Sequence, residues 1–133
     1  MSTFVDTSAF YALLDETDRA HAAARGWLTN EAPAAGQLET HSYVVVESIA
    51  LVTSRLGPAA TRKLLDVFVP ITDVTYVEEP LHAAAITVLR ATAGRKPSFV
   101  DRVSFEFMHL RGITRAFAFD ADFRREGFEL VPA

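Results

Sequence analysis

Four carboxylates occupy positions where side chains can do chemistry. They are Asp6 in Phe4-Val5-Asp6-Thr7-Ser8-Ala9, Glu47 inside the apolar run Tyr43 to Val52, Asp101 in Ser98-Phe99-Val100-Asp101, and Asp120 in Phe119-Asp120-Ala121-Asp122-Phe123. Each has a plain structural reading. Asp6 and Asp120 precede helical segments and would serve as N-caps, and Ser98 and Asp101, three apart, would form a variant capping box. Glu47 is harder to explain this way. Its neighbours one helical turn away are Tyr43, Val44, Ala50 and Leu51, with no Lys or Arg in reach, so its carboxylate leaves an apolar face. Such a group is normally paired, protonated or bound to a metal, and a distant Arg remains open as its partner.

Convergence of the four would restrict their chemistry. Two carboxylates about 5 Å apart repel by roughly 3 kcal/mol at an effective dielectric of 20. Six such pairs approach ~20 kcal/mol as an upper bound, more than the ~5–15 kcal/mol that holds a domain together. The cluster would need a counter-charge, and a hard divalent cation with oxygen ligands, Mg²⁺ or Mn²⁺, supplies one while activating water and a phosphoryl group. The lack of Cys and the scatter of His21, His41, His82 and His109 count against zinc.

The elements that must position these acids follow from hydropathy period and stop signals. Strands are expected at Thr3–Val5, around Leu38, and over Ile71–Val77, Arg115–Phe119 and Phe128–Val131. Helices are expected over Thr7–Glu16, Asp18–Leu28, Ser42–Gly57, Pro58–Phe68, Pro80–Ala93 and Ser98–Leu110, with a short turn at Asp122–Glu126. Strands separated by helices imply an α/β fold with a parallel sheet covered on both faces. In such sheets ligands bind beyond the carboxyl ends of the strands, where strand order reverses. Asp6 and Asp120, each following a strand, would hang over that edge.

Length and charge bound the rest. With 133 residues, half of them hydrophobic, and no linker or repeat, residues 1–133 are read as one domain. The absence of Cys excludes a disulfide scaffold and a thiolate nucleophile. No signal peptide is evident and the longest apolar run is half a membrane span, so a soluble, cytoplasmic protein is expected. The balance of 13 basic against 17 acidic residues, net −4, argues at first against a nucleic-acid partner.

In order and spacing these blocks resemble the PIN-domain nucleases, and among them the VapC toxins of bacterial toxin–antitoxin pairs, over nearly the whole chain. The resemblance implies an α/β/α sandwich with a central, mainly parallel sheet of four to five strands. It implies that Asp6, Glu47, Asp101 and Asp120 are catalytic ligands of Mg²⁺, with Mn²⁺ able to substitute, that Asp122 stands where some members carry a fifth ligand, and that Ser8 helps to order the site. Ala118 departs from the family, which often has Thr or Ser two residues before the last acid. The implied function is a metal-dependent endoribonuclease that hydrolyses tRNA, rRNA or mRNA with a metal-activated water. A cognate VapB-type antitoxin would hold it inactive, and the protein would form a homodimer. The helices Ser42–Gly57 and Pro58–Phe68 offer a surface for those contacts. Arg95, Lys96, Arg102 and Arg124 flank the acid-bearing segments as contacts for substrate phosphates, although each would otherwise read as a solvated charge.

Rival readings differ in particulars. A degenerate PIN domain acting as an RNA- or protein-binding module would not need its full acid set. A haloacid-dehalogenase-type phosphatase would want Asp where Ser8 stands. A phospho-receiver would want an acidic pair after the first strand and a late Lys, yet only Lys63 and Lys96 exist. With five acids assigned to a metal site, 12 of the 17 remain against 13 bases, net +1, so the −4 does not exclude an RNA partner.

Overall fold

The computed structural model describes residues 1–92, 94 and 96–133. Its sheet is built from β1 (Ser2–Val5), β2 (Gln37–His41), β3 (Asp73–Thr75), β4 (Arg115–Phe117) and β5 (Glu129–Val131), ordered β3-β2-β1-β4-β5 with every pair parallel. The chain steps outward from β1 through β2 to β3, then returns to the other side of β1 for β4 and β5. Strand order therefore reverses between β1 and β4, which pair through Phe4 with Ala116 and Val5 with Phe117.

Seven α-helices stand among the described residues: α1 (Thr7–Leu14), α2 (His21–Gly26), α3 (Ser42–Leu56), α4 (Pro58–Lys63), α5 (Glu79–Ala91), α6 (Phe99–Arg111) and α7 (Asp122–Arg125). Both faces of the sheet are covered, as parallel strands require. On one face Phe4 meets Phe107 of α6 at 5.8 Å and Phe123 of α7 at 6.0 Å between ring centroids. On the other, Phe117 meets Trp27, just after α2, at 4.5 Å. Neighbouring strand positions thus feed opposite layers, which follows from the two-residue period of a strand. This is the expected α/β/α sandwich, with all five strands parallel.

Local signals set most boundaries. Gly57, at φ 88°, ends α3, and Pro58 begins α4. Gly112 closes α6 in the left-handed conformation at φ 67°. β4 ends at Phe117 and α1 at Leu14, each two residues short of expectation, and three elements differ further. The helix foreseen from Asp18 starts at His21, because the Asp18 carboxylate accepts the Ala20 N–H at 2.8 Å in a local turn that competes with helix. The last turns of the second and fourth helical segments widen into π-turns at Trp27–Glu31 and Leu64–Phe68. The strand foreseen to Val77 pairs only to Thr75, opposite His41, where β2 gives way to α3, and Tyr76 beyond it is 77% exposed.

Candidate metal centre

The crevice between β1 and β4 gathers the acids. Asp6 is the first residue past β1, and its own N–H continues the ladder to the Phe117 carbonyl at 3.1 Å. It caps α1: Oδ2 accepts from the Ser8 backbone at 3.1 Å and from the Ser8 hydroxyl at 2.6 Å. The same hydroxyl accepts the Phe119 N–H at 2.9 Å, so Ser8 ties the end of β1 to the segment after β4. Asp101 closes a capping box, accepting the Ser98 N–H at 3.3 Å while Ser98 Oγ accepts the Asp101 N–H at 3.1 Å. Asp120 is not itself the cap of α7, whose first turn follows Ala121. Its Oδ1 accepts the Asp122 N–H at 2.9 Å. Asp122 Oδ1 accepts from Arg125. The structural and chemical readings of these acids therefore coexist. Each gives one oxygen to the scaffold, which fixes the carboxylate and leaves the second oxygen to face elsewhere.

Asp101, Asp120 and Asp122 each present a carboxylate oxygen within 4.8 Å of the others. Asp6 and Glu47 belong to the same electrostatic group. Asp6, 3% exposed, has its pKa pushed up to about 6, mainly by burial, against the opposing Ser8 hydrogen bonds and with help from the charges of Glu47 and Asp120. Asp101, 8% exposed, is likewise pushed up to about 6 by burial and by Asp6 and Asp120. Glu47 is half-buried on α3. Burial raises its pKa, the Thr7 hydroxyl opposes the rise, and the Asp101 charge adds to it.

The donor set suits a hard cation. Asp6 Oδ1 and Asp122 Oδ2 are buried oxygens with no hydrogen-bond partner among the described residues, a costly arrangement for carboxylates unless a cation or proton answers them. All candidate ligand atoms are carboxylate oxygens, the type Mg²⁺ and Mn²⁺ prefer. Arg125 supplies part of the counter-charge at Asp122.

Two contributors were not foreseen. Thr7, buried directly after Asp6, accepts from Ser48 Oγ at 3.2 Å, and its hydroxyl lies beside Glu47. A hydroxyl immediately following the first acid was the available signal for it. Arg125, next to the proposed phosphate contact Arg124, pairs with Asp122. Among the proposed phosphate contacts, Lys96 and Arg124 are exposed, while Arg95 lies outside the described residues. Arg102 is 5% exposed rather than a solvated charge. It faces a cavity of about 340 Å³ with Lys96, Glu106 and Glu126. Ala118 is buried and its N–H is satisfied by the Val131 carbonyl at 3.3 Å, so the missing hydroxyl leaves no unpaired backbone donor there.

Comparison with known proteins shows the family and the fold. The PIN-domain family model matches residues 3–129. The chain is 32% identical over 126 residues, 94% of each chain, to the 23S rRNA-specific endonuclease VapC20 of Mycobacterium tuberculosis. The crystal structure of that protein, described as a sarcin-ricin loop cleaving toxin, superposes with a TM-score of 0.84 at 31% identity over 95% of each chain. FitAcB from Neisseria gonorrhoeae shares the fold, with a TM-score of 0.70 at 16% identity over 98% of this chain and 96% of that one.

Proposed function

From the premise that the chain belongs to the PIN-domain family and is of the VapC type, we propose that it is a metal-dependent endoribonuclease and the toxin of a toxin–antitoxin pair. One observation supports this most directly. Asp6 and Asp122 each bury an unpartnered carboxylate oxygen beside Asp101 and Asp120 at the sheet's reversal point. Asp6, Asp101, Asp120 and Asp122 would hold Mg²⁺ or Mn²⁺, and Glu47 would complete the set from α3. When bound, the cation supplies positive charge for a phosphodiester and acidifies water. The chain's own part is positioning. Ser8 fixes the Asp6 carboxylate, Ser98 fixes Asp101, and the Asp120 turn fixes Asp122, so the ligands need little reorganisation when charge develops at phosphorus.

RNA is the substrate class. Ribosomal RNA is the first to try, given the target named for VapC20, followed by tRNA and mRNA. Lys96 and Arg124, both exposed, would contact its phosphates. Partners are a VapB-type antitoxin and a second copy of the chain. The exposed apolar side chains of Leu65, Val67 and Ile71, on the π-turn after α4 and just beyond it, support such a contact surface. No helix among the described residues is long and apolar enough to cross a membrane. Residues 1–133 are taken as one PIN unit.

The test is incubation of purified protein with ribosomal RNA, tRNA and mRNA with Mn²⁺ or with EDTA. Cleavage of one of them that requires Mn²⁺ and is lost in Asp101→Asn is expected. RNA binding without Mn²⁺-dependent cleavage of any of the three would instead favour a degenerate PIN module.

A further inference from the structure

A groove of about 340 Å³ begins where the acid cluster ends. Tyr43, Val46 and Glu47 of α3, His82 of α5, and Phe99 and Val100 of α6 line it. Glu47 belongs both to the groove and to the electrostatic group of Asp101, Asp6 and Asp120. Tyr43 lies one helical turn before Glu47, and Phe99-Val100 immediately precede Asp101. The groove therefore runs out from the acids along the two helices that carry two of them.

Its walls are braced rings. The Tyr43 hydroxyl and His82 Nδ1 lie 2.7 Å apart, His82 meets Phe99 edge-on at 5.2 Å, and Tyr43 meets Phe99 at 6.2 Å. The Tyr43 hydroxyl and His82 Nδ1 pair with each other, so away from the Glu47 carboxylate the wall offers mainly rings and methyl groups. Val46 stays 64% exposed on its rim.

We infer that this groove takes an unpaired nucleobase of the RNA strand, on the nucleotide next to the cut, by stacking. The inference rests on the ribonuclease reading above. A phosphodiester held at the acids carries a base within one nucleotide's reach, and ring faces are how proteins seize unpaired bases. The charge at the groove's edge favours this occupant over an apolar face of a second protein. An apolar protein face would cover Glu47 and desolvate a carboxylate without pairing it, whereas a nucleotide arrives together with the cation that neutralises the acids. A stacking wall made mainly of rings and methyl groups tolerates any base, favouring purines for their larger faces.

The experiment uses a short RNA spanning a mapped cut, intact or with the base beside the scissile bond replaced by an abasic ribose, on each side in turn. For wild type, loss of the stacked base raises KM about tenfold on one side only. Phe99→Leu, which keeps apolar bulk but removes the ring, raises KM similarly on intact RNA, and the two losses do not add. Additive losses, or no loss on either side, overturn the inference. A second readout does not need cleavage: 2-aminopurine at that position is quenched when Asp101→Asn protein binds with Mn²⁺ present, and Phe99→Leu in the same background abolishes the quenching. If the wild-type protein cleaves none of the RNAs with Mn²⁺, the nuclease reading fails, while quenching of an internal 2-aminopurine that Phe99→Leu abolishes still keeps the groove as a base site; absent quenching overturns the inference. Sedimentation of Val46→Asp gives the last arm. An unchanged mass supports a groove open to RNA, and dissociation of a wild-type dimer assigns the groove to a second copy and overturns the proposal.

Discussion

Ser8 donates its hydroxyl proton to Asp6 Oδ2 over 2.6 Å, and through that bond it holds the acid's orientation from two residues away. The oxygen it occupies is the one that also caps α1, so Oδ1 is left to the crevice. Because the same hydroxyl accepts the Phe119 N–H, Ser8→Ala leaves both a carboxylate oxygen and a backbone donor short of a partner. The expected cost is about 1–3 kcal/mol of stability, read in urea unfolding of the metal-free protein. The lost hydrogen bond also lets the Asp6 pKa rise further. Protons then compete better with metal, and the Mn²⁺ concentration for half-maximal cleavage increases. An unchanged Mn²⁺ requirement would show that Ser8 has no part in the site.

Neutralising a ligand should separate activity from fold. Asp6→Asn and Asp101→Asn keep a side-chain oxygen for the Ser8 and Ser98 N–H groups, so their helix caps survive. Each substitution also removes a buried charge. Circular dichroism is expected to match wild type while Mn²⁺-dependent RNA cleavage falls by at least a hundredfold. Full activity in either purified variant would sink the metal-site assignment.

The acids were legible because their sequence context differs from that of surface carboxylates. Asp6 and Asp120 follow strands that must be parallel, and Glu47 sits among Tyr43, Val44, Ala50 and Leu51. What the sequence could not show is how each carboxylate divides its oxygens. Asp101 is both capping-box member and site acid, two readings that had looked like rivals. Arg102, which would otherwise read as a solvated charge, is 5% exposed: a helix turns about 100° per residue, and this position falls on the side that lines a cavity with Phe105 and Glu106. The shortening of β3 depended on where β2 ends, a tertiary fact with no local signature.

Glu47 has a test of its own. Burial raises its pKa and the Asp101 charge raises it further, so in the metal-free protein its ionised form is disfavoured. Glu47→Gln is expected to raise the melting temperature without metal and to reduce the upward shift that Mn²⁺ produces, because binding energy for the folded state appears directly as stability. Equal stabilisation of both proteins by Mn²⁺ would remove Glu47 from the ligand set.

The pH dependence of stability carries opposing signs, and its resolution identifies the acids. Asp6 and Asp101 titrate near 6 in the folded protein against an ordinary 3.8. Between those values the folded state holds protons that the unfolded state has released, so each contributes stability below pH 4 that is lost as pH rises to about 6. At 1.36 kcal/mol per pH unit, 2.2 units give about 3 kcal/mol at most for each. His41 acts in the other direction. Fully buried, with Nε2 at 2.8 Å from Ser104 Oγ, it is pushed down to about 4 from 6.5, so stability rises with pH as its unfolded form loses a proton, again by about 3 kcal/mol. A plain stability curve mixes the two. Subtracting the curve of Asp6→Asn from that of wild type, both in EDTA, removes His41. The stability of wild type relative to the variant is then expected to fall between pH 4 and 6 and level off above. With saturating Mn²⁺ the relative stability should instead rise over the same window, since ligands must lose their protons to bind. A wild-type-minus-variant difference that climbs with pH in EDTA would mean that Asp6 is stabilised as an anion by the protein alone, and the case for a cation there would lose its electrostatic basis.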